Sequence, residues 1–385
     1  MTVITARRRH GSCEDSPAAF MEPCRLLSAR PTKPEQHMSL KRYVKTIGAT
    51  VASVTAALWL AGCGNEARDI GQIVFTADEQ GRSISVVNPA TGQVETTSIP
   101  VSPHNVQVSS DGRSLFAVGS SSNVDQHGDA AMMGSGRLLI FDASAVSQGP
   151  RTNISVGRMP AHVIVDSRNE RAFVTSAGDN MLTIVDLESG TVDRNIAVGR
   201  SPHGLRMSPD GRTIYVANTG DGTVSVVNVD NLAERERIPV GRGPVQVAFT
   251  PDGRFSYVTL RDENATAVID TASRRVVATI PVGPGPIQVF ASPDGREVYV
   301  ANQGTEARPG NTVSVIDTAR QTVVATIITG AGAHGVAFSG SGDRVFIANS
   351  FADTVSVLDP RTRRLVRNSP VGRGPGGISV AEVND

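Results

Sequence analysis

The chain has 385 residues, with 37 basic (Lys plus Arg) and 37 acidic (Asp plus Glu) side chains, so its formal net charge is zero. That balance excludes an overall basic field for nucleic acid, and there is no acidic tail. Gly reaches 38 and aromatics only 4%, a composition suited to many short strands joined by tight turns.

Residues 1–37 are polar, contain Pro and Arg, and show neither helical nor strand periodicity. They are expected to be disordered, or to follow from an upstream start codon wrongly chosen. Met38 opens a better-formed segment over 38–62. Lys41, Arg42 and Lys45 make a charged stretch, Ile47 to Leu60 an apolar one, and Leu60-Ala61-Gly62-Cys63 closes it. The apolar run is shorter than the roughly 20 residues that span a bilayer, and suits a cleaved signal peptide. Leu60 to Cys63 resembles the lipobox of bacterial lipoproteins. The resemblance implies cleavage before Cys63 and diacylation of its sulfur. With Gly64 following instead of Asp, it also implies the outer membrane, facing periplasm or surface. The alternatives are an ordinary secretory signal with a chance Cys, or a buried helix. Residues 63–69 are then the lipidated Cys and a polar tether; each buried CH₂ adds about 0.8 kcal/mol, so several acyl chains anchor firmly. All three cysteines, Cys13, Cys24 and Cys63, precede residue 70. The remainder therefore has no disulfide, and a chain able to bury a large core needs none.

From residue 70 one unit recurs. Gly199 to Val240 says almost the same as Gly241 to Val282. Units open at Gly157, Gly199, Gly241, Gly283, Gly330 and Gly372, spaced by 42 residues except for 47 between Gly283 and Gly330. The five extra residues sit around Glu306 to Gly310. Ser102 to Val156 is a longer, degraded copy. Ile70 to Val101 lacks its first quarter, and Gly372 to Val383 is a unit start with nothing after it.

Each unit reads as four strands. In the Gly199 copy they are Gly204–Ser208, Thr213–Ala217, Thr223–Val229 and about Glu234–Val240. The turn Pro209-Asp210-Gly211 joins the first two, Pro presetting φ and Gly accepting a positive φ. Val224 and Val226 alternate with Ser225, the strand period of two. Charges at Glu234 to Arg237, Arg274, Arg275, Arg363 and Arg364 mark strand four as an outer edge guarded against aggregation. This pattern predicts an all-β protein: a seven-bladed β-propeller over 70–385. The split unit predicts closure of the ring, with the C-terminal strand paired to the three N-terminal ones. A solenoid would need capping repeats, and none are seen.

The segments Tyr215 to Asn218, Tyr299 to Asn302, Phe346 to Asn349, Asn311 to Asp317 and Ser292 to Gly295 resemble the YVTN family of β-propeller repeats. The likeness covers nearly all of 70–385. It implies an exported protein with a binding or surface role, the family's ligands being mostly unknown.

Loops between strands two and three share one face with the links between blades. Both insertions, Ser120–Gly136 and Gln303–Gly310, are loops of that kind, so a protein, glycan or small ligand is expected there. His104, His203 and His334 share one phase just before strand one, and His162 is one position later. If strand one is innermost, these rings surround the channel mouth, under a loop bearing His127, Met132 and Met133. Neutral imidazole and thioether suit copper or another metal, which predicts a metal site of His104, His203 and His334. The alternative is that they cap turns or line a wet channel, because Val245, Ile287 and Gly376 hold the same phase elsewhere.

Arg158, Arg200, Arg242 and Arg373 share another phase, either as a basic collar for an anionic ligand or as solvated side chains offset by nearby Asp. Asp179, Asp221 and Asp353 read as turn formers. Two GxGxxG matches, Gly330–Gly335 and Gly372–Gly377, lead into strands, so neither offers a helix N-terminus to a pyrophosphate. No GxSxG, P-loop or CxxC pattern occurs, and no catalytic residue or required cofactor follows. The expectation is a non-enzymatic, lipid-anchored envelope propeller binding a ligand on its loop-bearing face. One rival is a metal- or cofactor-dependent enzyme, redox or lactonase-like, at the histidine-bearing mouth; another is a purely structural envelope component. Convergence of the histidines on one point favours the enzyme.

Overall fold

A computed structural model describes residues 71–121 and 135–383. The expected leader, signal peptide, Cys63 and tether lie outside the described residues, as do His127, Met132 and Met133. The described chain forms seven four-stranded antiparallel sheets, numbered here as blades from the N-terminus. The Gly199 unit is blade 4, with strands Pro202–Met207, Thr213–Asn218, Thr223–Asn228 and Ala233–Pro239. Its first turn closes as expected: Gly211 has φ 73°, and Ser208 Oγ donates to Asp210 Oδ1 at 2.6 Å.

The first strand of each blade lies against the first strands of both neighbours, so seven of them ring a central channel. The ring closes through blade 1, where Pro375–Val383 pairs antiparallel with Gly71–Asp78, followed outward by Ser83–Val87 and Val94–Ser98. Apolar side chains form clusters shared between neighbouring blades. Tyr215 and Val226 of blade 4 pack with Phe249 and Val258 of blade 5. Phe346 and Val355 of blade 7 pack with Val74 and Val87 of blade 1. Both faces of the middle strands are therefore covered, which is why those strands read as nearly continuous apolar runs.

The opening Gly of a unit has a steric reason. Asn218, fully buried, donates from Nδ2 to Thr223 Oγ1 at 3.0 Å and Ser225 Oγ at 2.8 Å. A Cβ on Gly199 would stand 2.4 Å from that amide. Asn302 with Gly283 and Asn349 with Gly330 repeat the arrangement. In blade 1 the place is taken by Asp78, which accepts from Thr76, Ser83 and Ser85 and packs on Gly372.

Two features differ from the sequence-based expectation. The extra residues of blade 6 are not a loop: they lengthen a hairpin, Glu297–Thr305 against Arg308–Asp317, with Thr305 opposite Arg308. Paired strands satisfy backbone groups that an open loop would leave to solvent. The second feature is a bulge between strands one and two, where the register slips between Pro160 and Val163, Pro202 and Leu205, Pro244 and Val247, and Pro286 and Val289. Consecutive strand residues normally face opposite sides, and a bulge re-aims one of them.

Candidate metal site at the channel mouth

His104 and His203 approach across the channel, with their Nε2 atoms 3.1 Å apart. The other ring nitrogen fixes each tautomer. His203 Nδ1 lies 3.2 Å from the Val245 carbonyl oxygen, and His334 Nδ1 lies 3.0 Å from that of Gly376. A carbonyl only accepts, so both Nδ1 atoms carry the proton and both Nε2 atoms present lone pairs when the rings are neutral. His104 Nδ1 donates to Glu79 Oε1 at 3.3 Å, which bares its Nε2 in the same way. Two lone pairs facing at this distance repel unless a cation stands between them, either a metal ion or the proton that a charged His104 donates from Nε2 to His203 Nε2. Ligand nitrogens at roughly 2.0–2.1 Å from one tetrahedral ion lie about 3.3 Å apart, close to the observed separation.

His162 is the third member. One ring nitrogen from each of His104, His162 and His203 lies within 4.8 Å of the others. His162 is buried, its Nε2 has no partner, and its Nδ1 has only a 3.3 Å contact from Gln246 Nε2. Little has to be given up for this ring to turn a lone pair to an ion. The set thus differs from the expected trio. His334 stands further off, its ring centroid 6.5 Å from that of His104, against 5.7 Å for His162. The bulge explains the exchange: it lets the residue one position beyond the shared phase reach the same channel.

Neighbouring residues hold these rings. Thr175 Oγ1 accepts from His162 N at 3.0 Å and donates to His203 O at 2.6 Å, joining the innermost strands of blades 3 and 4. Burial pushes the His162 and His203 rings well below their usual pKa, helped by the other imidazoles, and pushes His334 down to about 4. His104 goes the other way. Burial lowers it, but the hydrogen bond and charge of Glu79 outweigh burial and leave it raised. Burial likewise raises Glu79, and His104 outweighs it and holds the carboxyl below its usual range. The His104 side chain is 23% exposed and Glu79 48%, so this pair is the solvent side of the site.

The arginine phase does not join the histidines. Arg158 pairs with Asp179 at 2.7 Å, and Arg242 with Glu263 at 3.5 Å. Arg200 donates to Gly220 O, and Arg373 to Gln80 O. Each is tied to the loop between strands two and three of its own blade. The aspartates do more than form turns. Asp179 accepts from Arg158 N, Asp221 from Arg200 N and Asp353 from Gly374 N, so they clamp the links between blades.

Sequence reasoning missed Glu79, Thr175, Gln246, Gln288 and Arg206. For three of them a signal existed. Gln246 and Gln288 occupy the phase of His162 in blades 5 and 6, polar residues where an innermost strand is otherwise apolar. Arg206 is a lone charge two positions further along the strand.

A model of the YNCE-like beta-propeller family matches residues 154–384. The chain belongs to that family. Several solved structures share the fold with this YNCE-like propeller. A chain of hydrazine synthase from Kuenenia stuttgartiensis is 23% identical, with a TM-score of 0.62, covering 72% of this chain and 89% of that one. A candidate 6-phosphogluconolactonase from Bacteroides fragilis is 17% identical, with a TM-score of 0.66, covering 82% and 99%. A functionally unknown protein from Desulfotomaculum acetoxidans is 16% identical, with a TM-score of 0.64, covering 81% and 99%. At these identities the likeness concerns the fold. No curated protein matches the chain.

Proposed function

We propose that this protein is an exported, lipid-anchored propeller of YVTN-type repeats that holds a late first-row divalent ion at its channel mouth. The ion, zinc or copper in class, then binds a small ligand on the loop-bearing face. The observation that carries this reading is the approach of the His104 and His203 Nε2 atoms to 3.1 Å, with the Nδ1 of each ring facing an oxygen acceptor. Orientation of a ligating imidazole by a carboxylate or carbonyl on its far nitrogen is the usual support of a metal-bound histidine. Three neutral imidazoles leave a coordination position free, where a bound water or carbonyl is polarised by the ion.

The test is zinc and copper titration of untagged, chelator-stripped protein, read by calorimetry and metal analysis. One ion per chain is expected. His104→Ala and His203→Ala should each weaken binding by roughly a hundredfold or more, and His334→Ala by much less. Substoichiometric binding, or unchanged affinity in the first two variants, overturns the reading. The lipid anchor has its own test: radioactive palmitate should label the wild-type protein, and label retained by Cys63→Ala refutes the anchor.

A further inference from the structure

The channel also contains a cavity of about 140 Å³ whose wall includes His162, Gln246, Gln288, Arg206 and Phe290. By the volume of roughly 30 Å³ that a water occupies in the liquid, it has room for a phosphate or an acetate. Arg206 is the one residue of its lining with a permanent charge, and no carboxylate faces it there. Among the described residues Arg206 forms no ion pair. Its guanidinium carbon lies 5.0 Å from the centroid of the Phe290 ring, a cation–π contact that offsets only part of the cost of taking a half-buried charge out of water. Burial lowers its pKa to about 10, so it remains a cation at neutral pH.

The second observation is independent of that charge. Gln288 is 5% exposed, and its Nε2 has no hydrogen-bond partner. Its Oε1 accepts from Val336 N at 3.4 Å, which identifies the unmet end of the amide as the donor. The unmet polar atoms on this wall, Gln288 Nε2 and His162 Nε2, are both nitrogens. Water satisfies a stray N–H, but it does not neutralise a guanidinium.

We propose that this cavity is an anion site for a small oxyanion or carboxylate, with Arg206 as counter-charge and Gln288 Nε2 as hydrogen-bond donor. It does not depend on an ion at the mouth. A planar guanidinium offers two parallel N–H groups to such an anion, and the amide adds a third donor.

Chelator-stripped protein titrated with inorganic phosphate and with acetate tests the proposal. Saturable binding of about one anion per chain is expected, in the absence of any added metal. Arg206→Gln should weaken it at least roughly tenfold, Arg206→Lys should restore part of it, and Gln288→Met should weaken it less. If Arg206→Gln fails to fold, Gln288→Met and the broadening of the chloride-35 resonance by wild-type protein, reversed by phosphate, carry the test. Equal binding by wild type and the folded variants, or no saturable binding, overturns the proposal. Binding seen only with zinc present would place the anion on the metal and overturn it as well, while leaving the metal site intact.

Discussion

His104 is held by a residue far from it in sequence. Glu79 belongs to the loop between strands two and three of blade 1, and reaches the ring of a neighbouring blade at 3.3 Å. Glu79→Gln keeps an acceptor but removes the charge that orients and enriches the imidazole. The expected result is zinc affinity lowered by roughly ten- to a hundredfold. The melting temperature should stay nearly constant, because the side chain is half exposed and exposed pairs contribute little. Unchanged affinity would mean that Glu79 is a bystander. The histidines themselves were legible in the sequence as polar departures in a phase held elsewhere by Val245, Ile287 and Gly376. Glu79 was not, because nothing in a repeat unit records which turn faces it from the next blade.

At the scale of the strand, two devices shape the blades. One, in blades 4, 6 and 7, is the lock between an opening Gly and a buried Asn. Gly283 has an ordinary φ, yet a Cβ there would meet the Asn302 amide at 2.5 Å. Gly283→Ala should therefore cost about 1–3 kcal/mol by overpacking, read from urea unfolding, whereas a conformational effect alone would be neutral or stabilising. A stability equal to wild type would show that the amide moves aside freely. The other device is the bulge after the first residues of strand one. The strands, their turns and their order were legible because each unit restates them. The bulge was not, because whether Pro202 and Leu205 pair across one slipped register depends on the neighbouring strand.

The propeller is stabilised as a ring. Each apolar cluster is shared by two blades, so an open ring would expose the inner faces of blades 7 and 1 together. The closing blade carries Asp78 at a buried position that blades 4, 6 and 7 fill with Asn. Burial raises its pKa from 3.8 to about 6, against the lowering effect of the Ser85, Thr76 and Ser83 hydroxyls, and the charge of Asp353 adds to the rise. A folded pKa above the unfolded one means that the native state holds this proton more tightly. Its contribution is complete below about pH 4 and is lost as pH rises through about 6, by roughly 3 kcal/mol for a shift of about two units. Asp78→Asn should flatten that decline and stabilise the ring at neutral pH, measured by urea unfolding at about pH 4.5 and about pH 7.5. An identical pH dependence in both proteins would refute the assignment.

The number of blades, their four-stranded build and the joining of the two ends follow from the repeat units alone. Those properties are local or periodic: alternation, turn residues and a split unit are written into each copy. Which histidines meet, that His162 stands nearer than His334, and that Arg206 forms no ion pair with any described residue emerge only from the assembled ring. The physical reason is that the channel is built from side chains of seven different strands. Their distances depend on the bulge, the clamps between blades and the closure of the ring, none of which a single unit contains.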